Sequence, residues 1–294
     1  MASEGDRRTG PEVAEPELAP NGSSTLHGGG ARRGVTVALL STAVVFALLA
    51  FTITRAPGWP EVKQTFFNWD VFRDSFPEIA RAFLLNVKIF CIAQAFVLVL
   101  ALLLAVVRSL QGPVFFPLRA LAIAYADFFR GVPTVLVIAM LGFGAPALQL
   151  DGVPTSTTFW GIVALVLIYT AYVSEVYRAG IESVHPSQDV AARSLGLSHA
   201  KSLRYVVLPQ AVRRVIPPLL NDFIGMQKDT ALVGILGSVE AFKQSQIDTA
   251  ATFNYTPYLA AAALFVAITI PQARFTDWLI ARDRRRRAAG GVAA

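Results

Sequence analysis

The chain has 294 residues, of which 54% are hydrophobic and only 16% are charged, and its formal net charge is +6. Soluble globular domains carry about 25% charged residues, so this composition argues against a soluble globular protein. The single cysteine, Cys91, excludes an internal disulfide framework and a cysteine cluster for a metal ion.

The sequence lacks motifs for metal or nucleotide chemistry. Its three histidines are far apart and do not show metal-ligand spacing such as HExxH. It contains no GxxxxGK[S/T] motif, so we expect no P-loop nucleotide site and no cofactor in this chain. The one dense basic run, "RDRRRR" at 282–287, follows the last apolar segment, which is typical of a cytoplasmic tail. We therefore predict no nucleic-acid partner, and binding of this run to anionic lipid headgroups is a second interpretation.

The N-terminal region predicts a tail followed by a membrane anchor. Residues 1–31 are rich in Gly, Pro, Glu, Ser and Arg without an apolar period, which indicates disorder. The run "GVTVALLSTAVVFALLAFTI" at 34–53 has no charge and the roughly 20 residues that cross about 30 Å of hydrocarbon. Because this run is full length and begins late, we predict a retained anchor rather than a cleaved signal peptide.

Further apolar segments predict a multi-pass membrane protein. The run "IFCIAQAFVLVLALLLAVV" at 89–107 is also free of charge, and breaker sequences such as "DGVPTS" at 151–156 separate some of the segments. The fold class we predict is an all-α integral membrane protein of about six helices. The predicted spans are 34–53, 84–107, 132–149, 159–176, 214–236 and 258–280.

The distribution of Lys and Arg predicts the orientation of these spans. One set of connecting segments is rich in arginine and ends with the basic tail, whereas the opposite set holds only five basic residues, Arg55, Lys63, Arg73, Arg81 and Lys243. Cytoplasmic segments carry the excess of Lys and Arg, so both termini are predicted to lie in the cytoplasm. An even number of spans requires the same result.

The segment 186–210 then lies in a long cytoplasmic loop between spans four and five. Pro186 to Leu195 is predicted to form a short helix that presents Ala191, Ala192 and Leu195 on one face. Gly196 suits the left-handed position after a helix, and Ser198 can cap a second helix, which Leu208-Pro209 should end. The pattern leaves two interpretations open, a docking surface for another protein or an amphipathic connector on the headgroups.

This loop resembles the EAA loop of the permease subunits of ABC importers. The pattern of that loop is EAA, three residues, Gly, nine residues, Ile, any residue, Leu and Pro. The resemblance implies that the loop forms the coupling helices that fit a cleft on the ATP-hydrolysing subunit. The matching residues are Ala191, Ala192, Gly196, Val206, Leu208 and Pro209.

The loop departs from the pattern at one position. Val190 occupies the place of the Glu, and the acidic Asp189 comes one residue earlier. We therefore expect contact with the ATPase to depend on shape and apolar burial more than on charge. The predicted ATPase-coupling residues are Asp189, Val190, Ala191, Ala192, Leu195, Gly196, Leu208 and Pro209.

Three more stretches extend the resemblance. "DFFRGVPTVL" at 127–136, "AYVSEVYRAGIESV" at 171–184 and "NDFIGMQKDTALVGILG" at 221–237 are similar to stretches of the polar amino-acid branch of these permeases. Together with the loop they cover about residues 83–281, and the chain resembles the actinobacterial glutamate-type subunits most. The first span looks like an addition to the usual five-helix core.

The resemblance implies a type I ABC importer transmembrane domain in the plasma membrane that works by alternating access. It implies ATP and Mg on a partner ATPase, a second permease chain and an extracytoplasmic amino-acid-binding protein, with membrane lipid around the spans. The organisation we predict is a tail at 1–31, an N-terminal helix and external segment at 32–82, a transporter domain at 83–281 that contains the loop 186–210, and a basic tail at 282–294.

The fifth span contains a polar stripe. Five of its residues fall at i, i+1, i+4, i+7 and i+8, on one side of a helix, and a charge there costs about 3 kcal/mol in hydrocarbon. The stripe is predicted to line a substrate path, and the alternative is a shorter span from which Lys228 and Asp229 reach the outer interface. The predicted pathway residues are Asn221, Asp222, Gly225, Lys228, Asp229 and Thr230.

Three further features outside this stripe are interpreted from the sequence, two of them in more than one way. Arg130, with Gly131 and Pro133, either marks the cytoplasmic interface or belongs to a gate at the start of span three. Glu175 and Arg178, at i and i+3, are predicted to form an interfacial ion pair. The outer segment 54–83 is either an interfacial helix or a surface that receives a binding protein.

The function predicted from the sequence is that of a permease subunit, without ATPase activity of its own, in an importer for glutamate or a similar polar amino acid. An ion-gradient-driven secondary transporter or channel is the alternative, and it predicts coupling carboxylates and inverted repeats that the sequence does not display. A membrane enzyme is a third class, for which no catalytic constellation is present.

Overall fold

The structure of the protein is a computed structural model that describes residues 28–110 and 112–290, with the side chains of 34–110, 112–282 and 285. The chain divides into two compact units, 1–59 and 60–294. In the first unit, α1 (Gly28–Arg55) contains the first predicted span and is exposed along 34–55. The predicted tail at 1–31 lies almost entirely outside the described residues.

The second unit is helical throughout its described residues. Several of its helices begin at side chains that accept the free N–H groups of the first turn, among them Asn68, Ser156, Ser198 and Glu240. A π-helical segment spans Leu203–Val207 and a 3-10 helix spans Thr230–Leu236. The α-helices are α2 (Trp59–Phe66), α3 (Trp69–Ser109), α4 (Phe116–Gly131), α5 (Thr134–Ala147), α6 (Thr157–Glu182), α7 (Pro186–Ser194), α8 (His199–Ser202), α9 (Leu208–Asp229), α10 (Ala241–Thr252) and α11 (Thr256–Gly290).

Four described segments are long and apolar enough to cross a membrane, namely Gly34–Arg55, Trp59–Ser109, Thr157–Glu182 and Thr256–Arg282. They contain four of the six predicted spans. The predicted span 84–107 is only part of α3, which begins at Trp69 and is 41 residues long.

The predicted third span, 132–149, corresponds to a shorter helix that belongs to a bent pair. The helix there, α5, has only 14 residues, and α4 and α5 together form a pair bent by 101°. The bend has a local cause, because the residue before a proline is driven out of the α region. Val132, which precedes Pro133, is extended with φ −92° and ψ 133°.

The predicted fifth span, 214–236, lies in α9 and the 3-10 helix that follows it. This segment does not reach the hydropathy of the four apolar spans. Pro217 and Pro218 lie inside α9, so two backbone donors are missing from its middle. A polar helix of this kind is stable in a membrane where protein surrounds it or where it lines a wet cavity.

The main core forms where α3 and α6 pack together. Along α3 it contains Ile89, Ala93, Val97 and Ala101, all fully buried and four residues apart, as expected for one face of a helix. These side chains pack with residues of α5, α6, α9 and the 3-10 helix. A core that draws on this many helices fixes α9 against the rest of the unit.

Helix α9 approaches α6 closely at its cytoplasmic end. A side chain at Gly180 would collide with the Cγ2 atom of Val215, so the two backbones can meet only because position 180 is a glycine. The side chain of Arg214 also donates a hydrogen bond to the backbone carbonyl of Ser183.

The outer end of the unit has its own small core. Ile79 and Phe83 of α3 pack there with Ala241, Ala260 and Ala261 of α10 and α11. The outer segment predicted at 54–83 contains α2 and the start of α3. Helix α2 is joined to the start of α11 by a hydrogen bond from the Tyr255 N–H to the Thr65 carbonyl at 2.8 Å.

Candidate functional site

The cytoplasmic loop has the predicted helix–turn–helix structure. Helix α7 starts with Pro186 in its first turn and ends at Ser194, and Leu195 is its C-cap residue, after which Gly196 has φ +87°. The N–H of Gly196 bonds to the Arg193 carbonyl and that of Leu197 to the Ala192 carbonyl, which is a Schellman motif. The hydroxyl of Ser198 then accepts the N–H of Lys201 and caps α8, as predicted.

The face that this loop presents differs from the predicted one. Ala192 is buried within the chain, whereas Val190 is 60% exposed and Leu195 is 86% exposed. The prediction that Ala191, Ala192 and Leu195 share one face is therefore wrong, because Ala192 packs inward while its neighbours point out. The exposed face contains Val190, Ala191 and Leu195.

Asp189 contacts the loop itself. Its Oδ1 accepts a hydrogen bond of 2.6 Å from the buried Ser202 hydroxyl and lies 3.6 Å from His199 Nδ1. Both partners belong to α8, so Asp189 ties the two short helices of the loop together.

The prediction that Leu208-Pro209 ends the second loop helix is also wrong. The helical path continues from α8 through the π-helical segment into α9, where Pro209 occupies the first turn. Pro209 lacks an N–H, but the Leu208 N–H directly before it still bonds to the Leu203 carbonyl across the π-helical segment, so the helical path is not interrupted. One helical run therefore leads from the loop to Asp229.

The predicted pathway residues divide into three groups. Asp229 accepts a hydrogen bond of 2.9 Å from the Tyr169 hydroxyl, and a side chain at Gly225 would lie 3.2 Å from the same hydroxyl. Asn221 and Lys228 are exposed on the surface of the unit. Thr230 faces another direction, where its buried hydroxyl accepts from Asn86 Nδ2 at 3.1 Å.

Polar atoms without partners accompany the Tyr169–Asp229 pair. The Oδ2 atom of Asp222 is buried and has no hydrogen-bond partner among the described residues. Both amide atoms of Gln227 are also buried without a hydrogen-bond partner among the described residues, but Gln227 lies on another side of α9. Buried polar groups are normally hydrogen-bonded, so these atoms have capacity to bind a polar ligand. We call Tyr169, Asp222 and Asp229 the α9 polar cluster.

Glu175, near the cytoplasmic end of α6, is paired with arginines from three helices. Its Oε1 lies 2.6 Å from Arg108 Nη2 and 3.4 Å from Arg130 Nη1, and its Oε2 lies 2.7 Å from Arg178 Nη2. The predicted Glu175–Arg178 ion pair is confirmed within this larger group, which also joins α3 and α4. We call it the Glu175 cluster.

The candidate gate residues lie at the bend between α4 and α5. Gly131 is the last residue of α4, Pro133 precedes α5, and Arg130 reaches Glu175 from the end of α4. A role in gating remains a prediction, and the position of Arg130 also agrees with a marker of the cytoplasmic interface.

Two important side chains were not predicted as site residues. Tyr169 lies in an apolar stretch of the sequence, and only its hydrogen bond to Asp229 in the structure identifies it as a site residue. Arg108 is one of the basic residues in the arginine-rich connecting segments, which by themselves indicate only orientation, although an arginine directly after a long apolar run could have indicated a buried ion pair. Among the described residues no group of three His, Cys, Asp or Glu side chains is arranged to hold a metal ion.

Apolar spanning helices, a polar helix packed among them and an exposed cytoplasmic loop define a class, the membrane-embedded part of a transporter. The family described as "Binding-protein-dependent transport system inner membrane component" matches residues 112–285. The chain belongs to this family.

Individual relatives agree with this assignment. The probable glutamine ABC transporter permease protein GlnM of Bacillus subtilis is 32% identical over 213 residues, which are 71% of this chain and 92% of the relative. The arginine transport system permease protein ArtQ of Bacillus subtilis is 34% identical over 173 residues, or 58% of this chain and 78% of the relative.

A solved structure has the same fold. The chain is similar to one in the "Crystal structure of an amino acid ABC transporter with histidines", with a TM-score of 0.63 and 29% identity. The match covers 70% of this chain and 94% of the other. The resemblance to ABC permeases that was drawn from the sequence motifs is confirmed.

Proposed function

We propose that this chain is the permease subunit of an ATP-driven importer of a polar amino acid. The observation that carries the proposal is the continuous helical run that joins an exposed cytoplasmic loop to the α9 polar cluster. Such a run connects a docking surface for an ATPase with a place where a polar substrate can bind. In this proposal ATP and Mg are held by the partner ATPase, and this chain contributes no ATPase site.

The exposed loop face supports an ATPase as the partner. Val190 and Leu195 project large apolar side chains into water at the cytoplasmic end. Exposed apolar side chains on an ordered motif mark interaction surfaces when they lie together. We propose that Val190, Ala191 and Leu195 enter a cleft of the ATPase, and that Gly196 sets their angle.

The α9 polar cluster supports a zwitterionic substrate. Asp222 and Asp229 can accept hydrogen bonds from an amino group. Lys228, exposed beside the cluster, supplies the opposite charge. A ligand with both charges fits this set better than a simple anion or cation.

The relatives narrow the substrate class. Those reported above are described as permeases for glutamine and for arginine, and the similar solved structure is described as an amino-acid transporter with histidines. For this chain we propose glutamate or a similar polar amino acid, as its motifs resemble glutamate-type subunits. We also propose a second permease chain, which would cover Lys228, and an extracytoplasmic binding protein that delivers the substrate.

Reconstitution tests the proposed function. The chain is placed in liposomes with its ATPase, second permease and binding protein, and uptake of labelled glutamate, glutamine, arginine and histidine is measured. We expect uptake that needs internal ATP, and ATP hydrolysis that rises with loaded binding protein. Uptake driven by an ion gradient without the ATPase would instead support a secondary transporter.

A matched pair of variants tests the loop. Leu195→Asp places a charge on the proposed docking face, and Leu148→Asp makes the same change at another exposed leucine, after α5. We expect the first variant to lose at least about tenfold in ATPase affinity, because a buried unpaired charge costs more than 1.4 kcal/mol. The second should bind the ATPase normally, and equal binding by both variants would contradict the docking proposal.

A further inference from the structure

An apolar groove of about 380 Å³ opens between α3 and α4. Four residues of α3, from Leu100 to Val107, and four of α4, from Leu118 to Tyr125, line it at helical spacing, and Thr170 of α6 completes it. The Tyr125 hydroxyl donates a hydrogen bond of 2.7 Å to the Leu167 carbonyl, so it is not free to bind a polar ligand. The groove therefore presents mainly hydrocarbon, and Leu121 at its edge is 69% exposed.

Arginines lie at the cytoplasmic end of this groove. Arg119 follows the lining residue Leu118, and its Nη1 donates to the Leu110 carbonyl at 3.1 Å, which bridges the ends of α3 and α4. A guanidinium has five N–H donors, and within 28–110 and 112–290 no carboxylate forms an ion pair with Arg119. Most of its hydrogen-bonding capacity is free.

Arg108 adds to this positive charge. It follows the lining residue Val107, its side chain is only 9% exposed, and it shares the carboxylate of Glu175 with Arg130 and Arg178. Its Nε and Nη1 atoms are buried and have no hydrogen-bond partner among the described residues. The Glu175 cluster is therefore short of negative charge on the side of the bilayer where the groove ends.

We propose that this groove binds one anionic phospholipid of the cytoplasmic leaflet, with an acyl chain between α3 and α4 and its phosphate on Arg119, near Arg108. Charge complementarity selects this occupant, because a neutral helix offers no anion, and a zwitterionic lipid carries a cation beside its phosphate and brings no net negative charge to the two arginines. Basic pockets between spanning helices on the cytoplasmic side suit the headgroups of such lipids. The proposal needs only the membrane location, so it does not depend on the proposed transport function.

The chemistry of the headgroup is that of a phosphate diester. Arginine binds phosphate oxygens with two parallel N–H groups, and such bonds are about twice as strong as neutral ones. The apolar groove supplies what free phosphate lacks, a place for a hydrocarbon chain. Both parts are needed for a site that distinguishes a lipid from an inorganic anion.

Lipid retention tests the proposal with two variants and two matched controls. The purified full chain, with the subunits that it retains, is placed in nanodiscs of phosphatidylcholine with or without phosphatidylglycerol. Bound lipid is then counted by native mass spectrometry without ATP or substrate. Arg119→Gln removes the headgroup contact, and Ala122→Phe fills the groove at a buried lining residue. The controls are Arg274→Gln at an exposed arginine of α11 and Ala124→Phe at an exposed alanine of α4.

We expect the wild type to retain phosphatidylglycerol in preference to phosphatidylcholine. Arg119→Gln should lower this retention about fivefold, the effect of removing one arginine near an anionic surface. Ala122→Phe should abolish it, whereas the two controls should match the wild type. Because Arg119 is only half-buried, its variant remains informative even if Ala122→Phe folds poorly.

Four results would overturn the proposal. Equal retention of the two lipids, or unchanged retention in Arg119→Gln, would show that the groove has no site for an anionic lipid. If Ala124→Phe acts like Ala122→Phe, the groove is not the binding place. If inorganic phosphate added to phosphatidylcholine nanodiscs protects the chain from thermal unfolding as well as phosphatidylglycerol does, the site belongs to a free anion. If Ala122→Phe separates two permease chains without changing lipid retention, the groove is an interface between copies.

Discussion

The Glu175 cluster and the α9 polar cluster both place charges among apolar helices, but the charges are paired in the first and partly unpaired in the second. In the Glu175 cluster one carboxylate meets three guanidinium groups at 2.6–3.4 Å. In the α9 polar cluster, Asp222 has a buried oxygen without a hydrogen-bond partner among the described residues. Paired charges hold helices together, whereas unpaired polar atoms have capacity for a ligand. The comparison predicts that the first cluster matters for stability and the second for transport.

The largest effect on stability is expected from Glu175→Gln. This change leaves Arg108, whose side chain is 9% exposed, without its carboxylate, and breaking a buried ion pair costs about 3–5 kcal/mol. We expect a strongly lowered melting temperature of the purified chain, measured in a fixed detergent or lipid.

Glu182→Gln is the matched control. Glu182 pairs with Arg178 at 2.5 Å but is 61% exposed, and exposed ion pairs contribute only about 0–1 kcal/mol. If both variants melt at the same temperature, the Glu175 cluster is not a stabilising centre and the contrast with the α9 polar cluster disappears.

A smaller free-energy effect, visible in transport and not in stability, is expected from Asp222→Asn. Loss of a charge-assisted hydrogen bond to substrate costs about 1.5–3 kcal/mol, which corresponds to at least a tenfold loss in affinity. We expect a raised substrate concentration for half-maximal uptake and an unchanged melting temperature, because Asp222 Oδ2 has no partner to lose.

Asp277→Asn provides the comparison for uptake, since Asp277 is an exposed carboxylate of α11. Normal uptake by Asp222→Asn, or a large loss of stability in it, would assign Asp222 to the structure and not to the pathway.

The smallest effect concerns an acidic group at the outer end, outside the spans. Burial raises the pKa of Asp248 above its usual 3.8, and the nearby Glu78 carboxylate adds to this shift. A hydrogen bond from Gln244 opposes it. A carboxyl group with a raised pKa in the folded state stabilises the fold below its unfolded pKa, and this contribution is lost as the pH rises through the folded value.

We therefore expect the melting temperature of the wild type to fall relative to that of Asp248→Asn as the pH rises from about 4 through the raised pKa of the folded state. Parallel melting curves over this range would show that Asp248 behaves like an ordinary exposed carboxylate. Asp248, like Asp222, has a buried oxygen without a hydrogen-bond partner among the described residues. If Asp248 behaves in this ordinary way, the contrast between paired and unpaired charges applies only to residues in the membrane interior.

Local features of the chain were predictable from the sequence. The cap at Ser198, the left-handed Gly196 and the apolar spans follow from rules that involve neighbouring residues. The bend before Pro133 belongs to the same group, and it was missed although the Val132-Pro133 pair predicts it.

Features that depend on distant parts of the chain were not predictable. The Glu175 cluster brings Arg108, Arg130 and Arg178 together from three helices, and no spacing in the sequence encodes that meeting. The inward turn of Ala192 likewise depends on packing against the rest of the unit. The stripe on α9 was recognised by its period, but its division into buried, exposed and Asn86-facing groups depends on which helices surround it.

The unbroken helical run from His199 to Asp229 has a mechanical consequence. At 1.5 Å per residue the run is about 45 Å long, with the loop at one end and Asp229 at the other. A tilt of the loop is therefore carried along the run, which can bend most easily at Pro217 and Pro218, where backbone hydrogen bonds are missing. The π-helical segment Leu203–Val207 lies beside the loop, where a change of helical phase rotates the residues beyond it.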